Sequence, residues 1–130
     1  MVFYVDTSAM LKLAFLEAES AALRRWIDDD RPVLVGSDLV RTETLRAARK
    51  RDAESVESAL RALEIVALLS TPRIAFRRAA EIGPDVLKSL DALHLATALE
   101  LGDELTGMVT YDKRLSAGCI AHGIRVLAPV

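Results

Sequence analysis

Short apolar runs alternate with stretches of helical periodicity along the whole chain, and polar turn residues separate them. Val2-Phe3-Tyr4-Val5 is a continuous apolar run rich in β-branched and aromatic residues, which predicts a strand buried on both faces, as inside a parallel sheet. Asp6 ends the run. Thr7 and Ser8 are helix-starting residues, and Met10, Leu11 and Leu13 carry the pattern on as a helix. Glu17 to Asp30 reads as a second helix, with Leu23, Trp26 and Ile27 toward the core and Asp28-Asp29-Asp30 as a solvated acidic close. Val33-Leu34-Val35 predicts a second strand, Gly36-Ser37 the turn out of it, and Ser37 the cap of a helix running to about Lys50. Ala53 onward is a helix with Val56, Leu60 and Leu63 at helical spacing, passing into Ile65 to Leu69 as a third strand.

The second half repeats the alternation. Ser70-Thr71-Pro72 supplies a cap residue and then a proline at the first helical position, opening a helix that reaches Ile82 before Gly83-Pro84, with Arg73, Arg77 and Arg78 on a solvated face. Ser89 caps a helix that is apolar all round and therefore buried, with Gly102 just past its end. Met108-Val109-Thr110 is a fourth strand, a short helix follows to about Gly123, and Ile124 to Leu127 is a fifth strand at the sheet edge. Strands alternating with helices imply an α/β fold with a parallel sheet of about five strands and right-handed crossovers.

At 130 residues the chain is one domain, residues 1–130. Hydrophobic residues make up 52%, which predicts apolar surface covered by a partner or a second copy, hence an oligomer or a complex. The net charge of −2 rules out a global basic field. Cys119 has no partner for an internal disulfide, and with two histidines it cannot make a zinc site of ordinary ligand count. No basic leader precedes the first apolar run and no uncharged stretch is long enough for a membrane span, so the expectation is a cytoplasmic protein without membrane contact.

The acids change the picture. Glu43 falls on the helical face defined by Leu39, Val40 and Ala47, where the pattern asks for an apolar residue; it needs a cation or an ion pair, and Arg46 at i+3 is a candidate. Asp6 and Asp112 each follow a strand, and either could simply cap the next helix. Asp91 lies in the first turn of the buried helix, where the helix dipole alone would favour it, and His94 one turn on is a hydrogen-bonded core residue in preference to a ligand. In a parallel sheet, however, every strand end that leads into a helix lies on one rim. That brings Asp6, Glu43, Asp91 and Asp112 together from distant parts of the chain. Two carboxylates ~5 Å apart at an effective dielectric near 20 repel by roughly 3 kcal/mol. A divalent cation reverses the sign, and all-oxygen ligands select Mg²⁺, with Mn²⁺ as a substitute. With these four acids set aside, basic residues outnumber the remaining acids, so the surround of a loaded site is mildly cationic. Phosphodiester hydrolysis is the chemistry most natural to such a site.

Four stretches resemble the PIN-domain nucleases, in particular the VapC toxins of bacterial toxin–antitoxin pairs: Tyr4-Val5-Asp6-Thr7-Ser8-Ala9, Arg41-Thr42-Glu43 with Arg46, Ser89 to Ala98 around Asp91, and Val109-Thr110-Tyr111-Asp112-Lys113-Arg114-Leu115. The resemblance implies a three-layer α/β/α sandwich and a Mg²⁺-dependent endoribonuclease, with Asp6, Glu43, Asp91 and Asp112 as the catalytic and metal-holding acids. Ser8 and Thr110 would orient carboxylates or water, and Arg46, Lys113 and Arg114 would contact RNA phosphates. It also implies a homodimer silenced by a VapB-type antitoxin, and metal-activated water leaving 5′-phosphate and 3′-hydroxyl ends. Two other readings stay open. An aspartyl-phosphate enzyme would need a second acid beside Asp6, and Thr7-Ser8-Ala9 supplies none. A non-catalytic module of the same fold would act only by pairing with an antitoxin-like protein or RNA.

Overall fold

A computed structural model describes all residues, 1–130. Five parallel strands form one sheet: β1 (Val2–Val5), β2 (Val33–Ser37), β3 (Ala67–Leu69), β4 (Gly107–Val109) and β5 (Val126–Leu127). Their order across the sheet is β3-β2-β1-β4-β5, which puts the first strand in the middle. The order reverses between β1 and β4, and in open α/β sheets the crevice beyond the carboxyl ends at such a reversal is where ligands bind.

Seven helices cover the two faces. The helices α1 (Thr7–Ala14), α2 (Ser20–Asp30), α3 (Asp38–Arg49) and α4 (Ala53–Leu63) pack on one side, and α5 (Arg73–Glu81), α6 (Ser89–Leu99) and α7 (Lys113–Ala121) on the other. The strands show why: Phe3 and Val5 join a core with Met10, Leu13, Leu23, Val40 and Leu63, while Tyr4 between them joins Leu95, Met108, Leu115 and Cys119 on the opposite face. Alternation along β1 therefore feeds two cores, and the architecture is a three-layer α/β/α sandwich. Trp26 stands edge-on to Phe3 with ring centroids 5.0 Å apart, a core contact as its spacing suggests.

Several boundaries differ from the sequence expectation, each for a local reason. The helix expected from Glu17 begins at Ser20, whose hydroxyl accepts from Glu17 N at 2.9 Å and donates to Phe15 O at 2.9 Å, closing a turn first. Gly36 and Ser37 continue β2 instead of turning out of it, and Ser37 then caps α3 by accepting from Leu39 N at 3.2 Å. Pro72 occupies the cap position of α5, not its first turn, and Lys88, not Ser89, is the cap residue of α6. The fifth strand is shorter than expected because Ile124 N bonds Cys119 O at 2.8 Å, completing the end of α7. No helix is long and apolar enough to cross a membrane.

The β4–β5 edge is tightly fitted. A Cβ on Gly107 would meet Arg125 O at 2.7 Å and the Phe3 ring at 3.0 Å. Replacing Gly107 by Ala is expected to cost about 1–3 kcal/mol through backbone displacement, read as a lowered urea midpoint with an unchanged slope. An unchanged midpoint would contradict that fit.

Candidate active site

Asp6 follows the central strand and caps α1, its Oδ1 accepting from Ala9 N at 3.0 Å. The side chain is buried, and the Ser8 hydroxyl reaches both its oxygens, at 2.7 and 2.9 Å, while Thr110 Oγ1 donates to Oδ2 at 2.7 Å. Ser8 has a single hydroxyl hydrogen, so three hydrogens serve roughly four acceptor sites and the carboxylate retains capacity for one more partner. Its protein donors are neutral: Asp6 has no salt bridge. Burial pushes its pKa up, and the hydrogen bonds from Thr110, Ser8 and Ala9 offset only part of that shift. Both hydroxyls also tie the site to the chain beyond β4, because Ser8 Oγ accepts from Tyr111 N at 2.9 Å and Thr110 Oγ1 from Asp112 N at 3.1 Å.

Asp91 and Asp112 are held differently. The Asp91 carboxylate turns back to the start of its own helix, Oδ2 accepting from Lys88 N at 3.0 Å and from Arg114 Nε at 3.1 Å, so both bonds fall on one oxygen. Asp112 caps α7 through Leu115 N at 3.0 Å and meets a terminal nitrogen of the same Arg114 at 3.4 Å. One guanidinium thus bridges two acids. Those two carboxylates raise the Arg114 pKa, the Asp91 hydrogen bond most of all.

Glu43 is paired as well, though not with Arg46, which is exposed and makes no ion pair with it. His94 Nε2 lies 2.7 Å from Glu43 Oε1, and since a carboxylate only accepts, Nε2 carries the proton. The other ring nitrogen is 2.8 Å from the Tyr4 hydroxyl, which in turn stands 3.1 Å from Ser37 Oγ. A buried relay runs from the cap of α3 through the central strand to Glu43. Burial would raise the Glu43 pKa, but the hydrogen bond and charge of His94 outweigh it and the net shift is downward. Burial raises the Tyr4 pKa strongly, so its hydroxyl stays neutral.

All four acids line one cleft of about 430 Å³ at the crevice between β1 and β4, together with Thr7, Ser8, Lys88, His94 and Arg114. Thr110 stands behind Asp6; Arg46 and Lys113 are exposed and lie outside the cleft lining. Lys88 escaped the sequence reading, although its place three residues before Asp91 is the cap position that an acid at the third helical residue commonly serves. The arrangement departs from a tight four-acid cluster: no three of the acids stand close enough, as the side chains are placed, to share an ion. Repulsion between acids is relieved in part by Arg114, and Glu43 receives a hydrogen bond from His94. The donor set nevertheless suits a hard cation: it is all oxygen, and Asp6 is a desolvated carboxylate with spare acceptor capacity and no counter-charge.

Fold and cleft together place the chain among α/β/α proteins that gather acids at the reversal point of a parallel sheet. The PIN domain profile matches residues 3–120. The sequence is 39% identical over 126 residues to ribonuclease VapC46 of Mycobacterium tuberculosis, covering 97% of this chain and 96% of that protein. In structure it resembles M. tuberculosis VapC20, a toxin that cleaves the sarcin–ricin loop, with a TM-score of 0.76 and 22% identity over 99% of this chain and 100% of that one. VapBC2 from Rickettsia felis, solved bound to a promoter DNA fragment, gives a TM-score of 0.76 at 11% identity over 100% of both chains. The chain belongs to the PIN domain family and is of the VapC type.

Asp6 carries a testable electrostatic signature. Its folded-state pKa lies above the unfolded value near 3.8, so its ionisation destabilises the fold as pH rises above that value and not below it. Asp6→Asn should therefore raise the melting temperature of metal-free protein at pH 7, with the gain shrinking toward pH 4. Glu43 is shifted the opposite way, so only the difference between variant and wild type isolates Asp6. Parallel melting profiles across the pH range would contradict the assignment.

Proposed function

We propose that this chain is a Mg²⁺-dependent endoribonuclease acting as the toxin of a type II toxin–antitoxin pair. The observation that carries the reading is the buried Asp6 carboxylate, lacking a cationic partner, in one cleft with Asp91, Glu43 and Asp112. The names of its relatives support the substrate class, VapC46 being called a ribonuclease and VapC20 a cleaver of the sarcin–ricin loop.

Asp6 and Asp91 would hold the metal, with Asp112 and Glu43 completing the acidic surround. Mg²⁺ bound there supplies a Lewis acid for phosphate oxygens and lowers the pKa of nearby water. Ser8 and Thr110 fix the rotamer of Asp6, so its charge stays aimed at the cleft without reorganisation during the reaction. His94 holds Glu43 at the cleft wall through Oε1. Lys88 and Arg114 place positive charge in the cleft, suited to the RNA backbone, and exposed Arg46 and Lys113 extend that contact outward. Water attacks phosphorus in line, the bond to the 3′ oxygen breaks, and that oxygen takes up a proton, leaving 5′-phosphate and 3′-hydroxyl ends.

A VapB-type antitoxin and a second copy of the chain are the proposed partners. Exposed Ile74, Phe76, Val86 and Leu90 bracket the α5–α6 side with apolar surface that a partner would cover. The titles of related structures support the antitoxin, one being VapBC2 and another a toxin–antitoxin complex from Klebsiella pneumoniae.

Incubating purified chain with total RNA, with Mg²⁺ or with chelator, and mapping the new ends tests the reading. Cleavage should require the metal. Asp6→Asn and Asp91→Asn should abolish it without loss of fold, and Thr110→Val should slow it by about 10–100-fold. RNA that is bound but uncut in Mg²⁺ would make the chain a binding module instead, and cutting that survives chelation would exclude the mechanism.

A further inference from the structure

The metal reading leaves one feature of the cleft unexplained. No three of the four acids stand close enough to share an ion, and two of them, Asp91 and Asp112, are already bridged by Arg114. Its Nε and a terminal nitrogen contact different carboxylates, at 3.1 Å on Asp91 and 3.4 Å on Asp112, a bridging contact that the planar fork of a guanidinium makes and a lysine ammonium does not reproduce. Lys88 also lines the cleft, but its contact with these acids is through its backbone nitrogen. The Arg114 side chain is 41% exposed, so nothing encloses it. It sits in the first turn of α7, two residues after Asp112, so its backbone is anchored while the long side chain can swing.

We infer that Arg114 is a tethered counter-ion that competes with the divalent metal for Asp91. In metal-free protein it satisfies Asp91 and Asp112 and occupies the negative charge a metal would need; metal entry and Arg114 departure are one exchange. The inference rests on the proposed metal-dependent function and adds what that function lacks, a group that balances the charge of Asp91 when no metal is bound. A cation already on Asp91 Oδ2 must lower the affinity of the cleft for a second one, because both draw on the same negative charge. The chain therefore carries its own brake on metal loading, released when metal is abundant, and the exchange frees a guanidinium at the cleft.

The test is metal binding, independent of RNA cleavage. Mn²⁺ is titrated into the full-length chain and free Mn²⁺ is read by electron paramagnetic resonance, for wild type, Arg114→Ala and Arg114→Lys. Arg114→Ala should bind at least about tenfold more tightly than wild type, equivalent to about 1.4 kcal/mol. Arg114→Lys, keeping the charge but losing the bridge, should fall between. In wild-type protein the Nε–H resonance of Arg114, assigned by its loss in Arg114→Lys, should shift on adding Mg²⁺ with the midpoint of metal binding. Equal or weaker Mn²⁺ binding by Arg114→Ala beside measurable wild-type binding would overturn this inference and leave the proposed function standing. Absence of binding in all three would overturn both. If circular dichroism shows Arg114→Ala unfolded, the lysine variant and the Arg114 resonance decide: no gain in affinity and no shift refute the exchange.

Discussion

A carboxylate stands desolvated at the end of the central strand, and every hydrogen it receives comes from a neutral donor. It cannot easily move. The strand before it is paired on both sides, and the backbone N–H of Asp6 reaches Val109 O at 3.3 Å, carrying the β1–β4 contact past the last strand residue. Folding thus forces Asp6 into a place where its own charge is unfavourable. An amide there would keep an acceptor for these donors without the buried charge, so the position is explained by a ligand that needs the charge.

The same hydrogen bonds build the fold and the site. Ser8 and Thr110 each give a hydrogen to Asp6 and accept one from the backbone that follows β4, at Tyr111 and Asp112. Two hydroxyls therefore lock the exits of β1 and β4 together where the strand order reverses. That lock ties the two strand exits to each other, and Asp6 and Asp112 line the same cleft without a hydrogen bond between them. Beyond it the remaining acids are positioned by side-chain partners, Glu43 by a hydrogen bond from His94 and Asp91 with Asp112 by the Arg114 ion pairs. Rigid and exchangeable holding sit side by side in one cleft.

Much of this was legible in the sequence because burial leaves a strong pattern. Strands covered on both faces read as unbroken apolar runs, and Val2 to Val5 appears in the structure with the same ends. The misplaced charge of Glu43 was legible for the same reason. Its partner was not, since helical spacing points only to neighbours such as Arg46, whereas His94 is 51 residues away. Nor does an apolar run say which strands it will lie between, so the central position of β1 emerged only from the pairing. Arg114 was read from the family likeness as a phosphate contact. That its side chain folds back onto Asp91, 23 residues earlier, depends on how α6 and α7 pack, which no local pattern encodes.

The central claim is that the charge stranded on Asp6 belongs to a metal site shared with Asp91. Crystals of the chain grown with Mn²⁺ test it most directly, through anomalous scattering in the cleft. The account predicts one strong peak coordinated by both Asp6 and Asp91, with the Arg114 guanidinium moved off Asp91. A saturated crystal with no peak beside Asp6, or with the ion elsewhere and Arg114 still bridging its two acids, would contradict it.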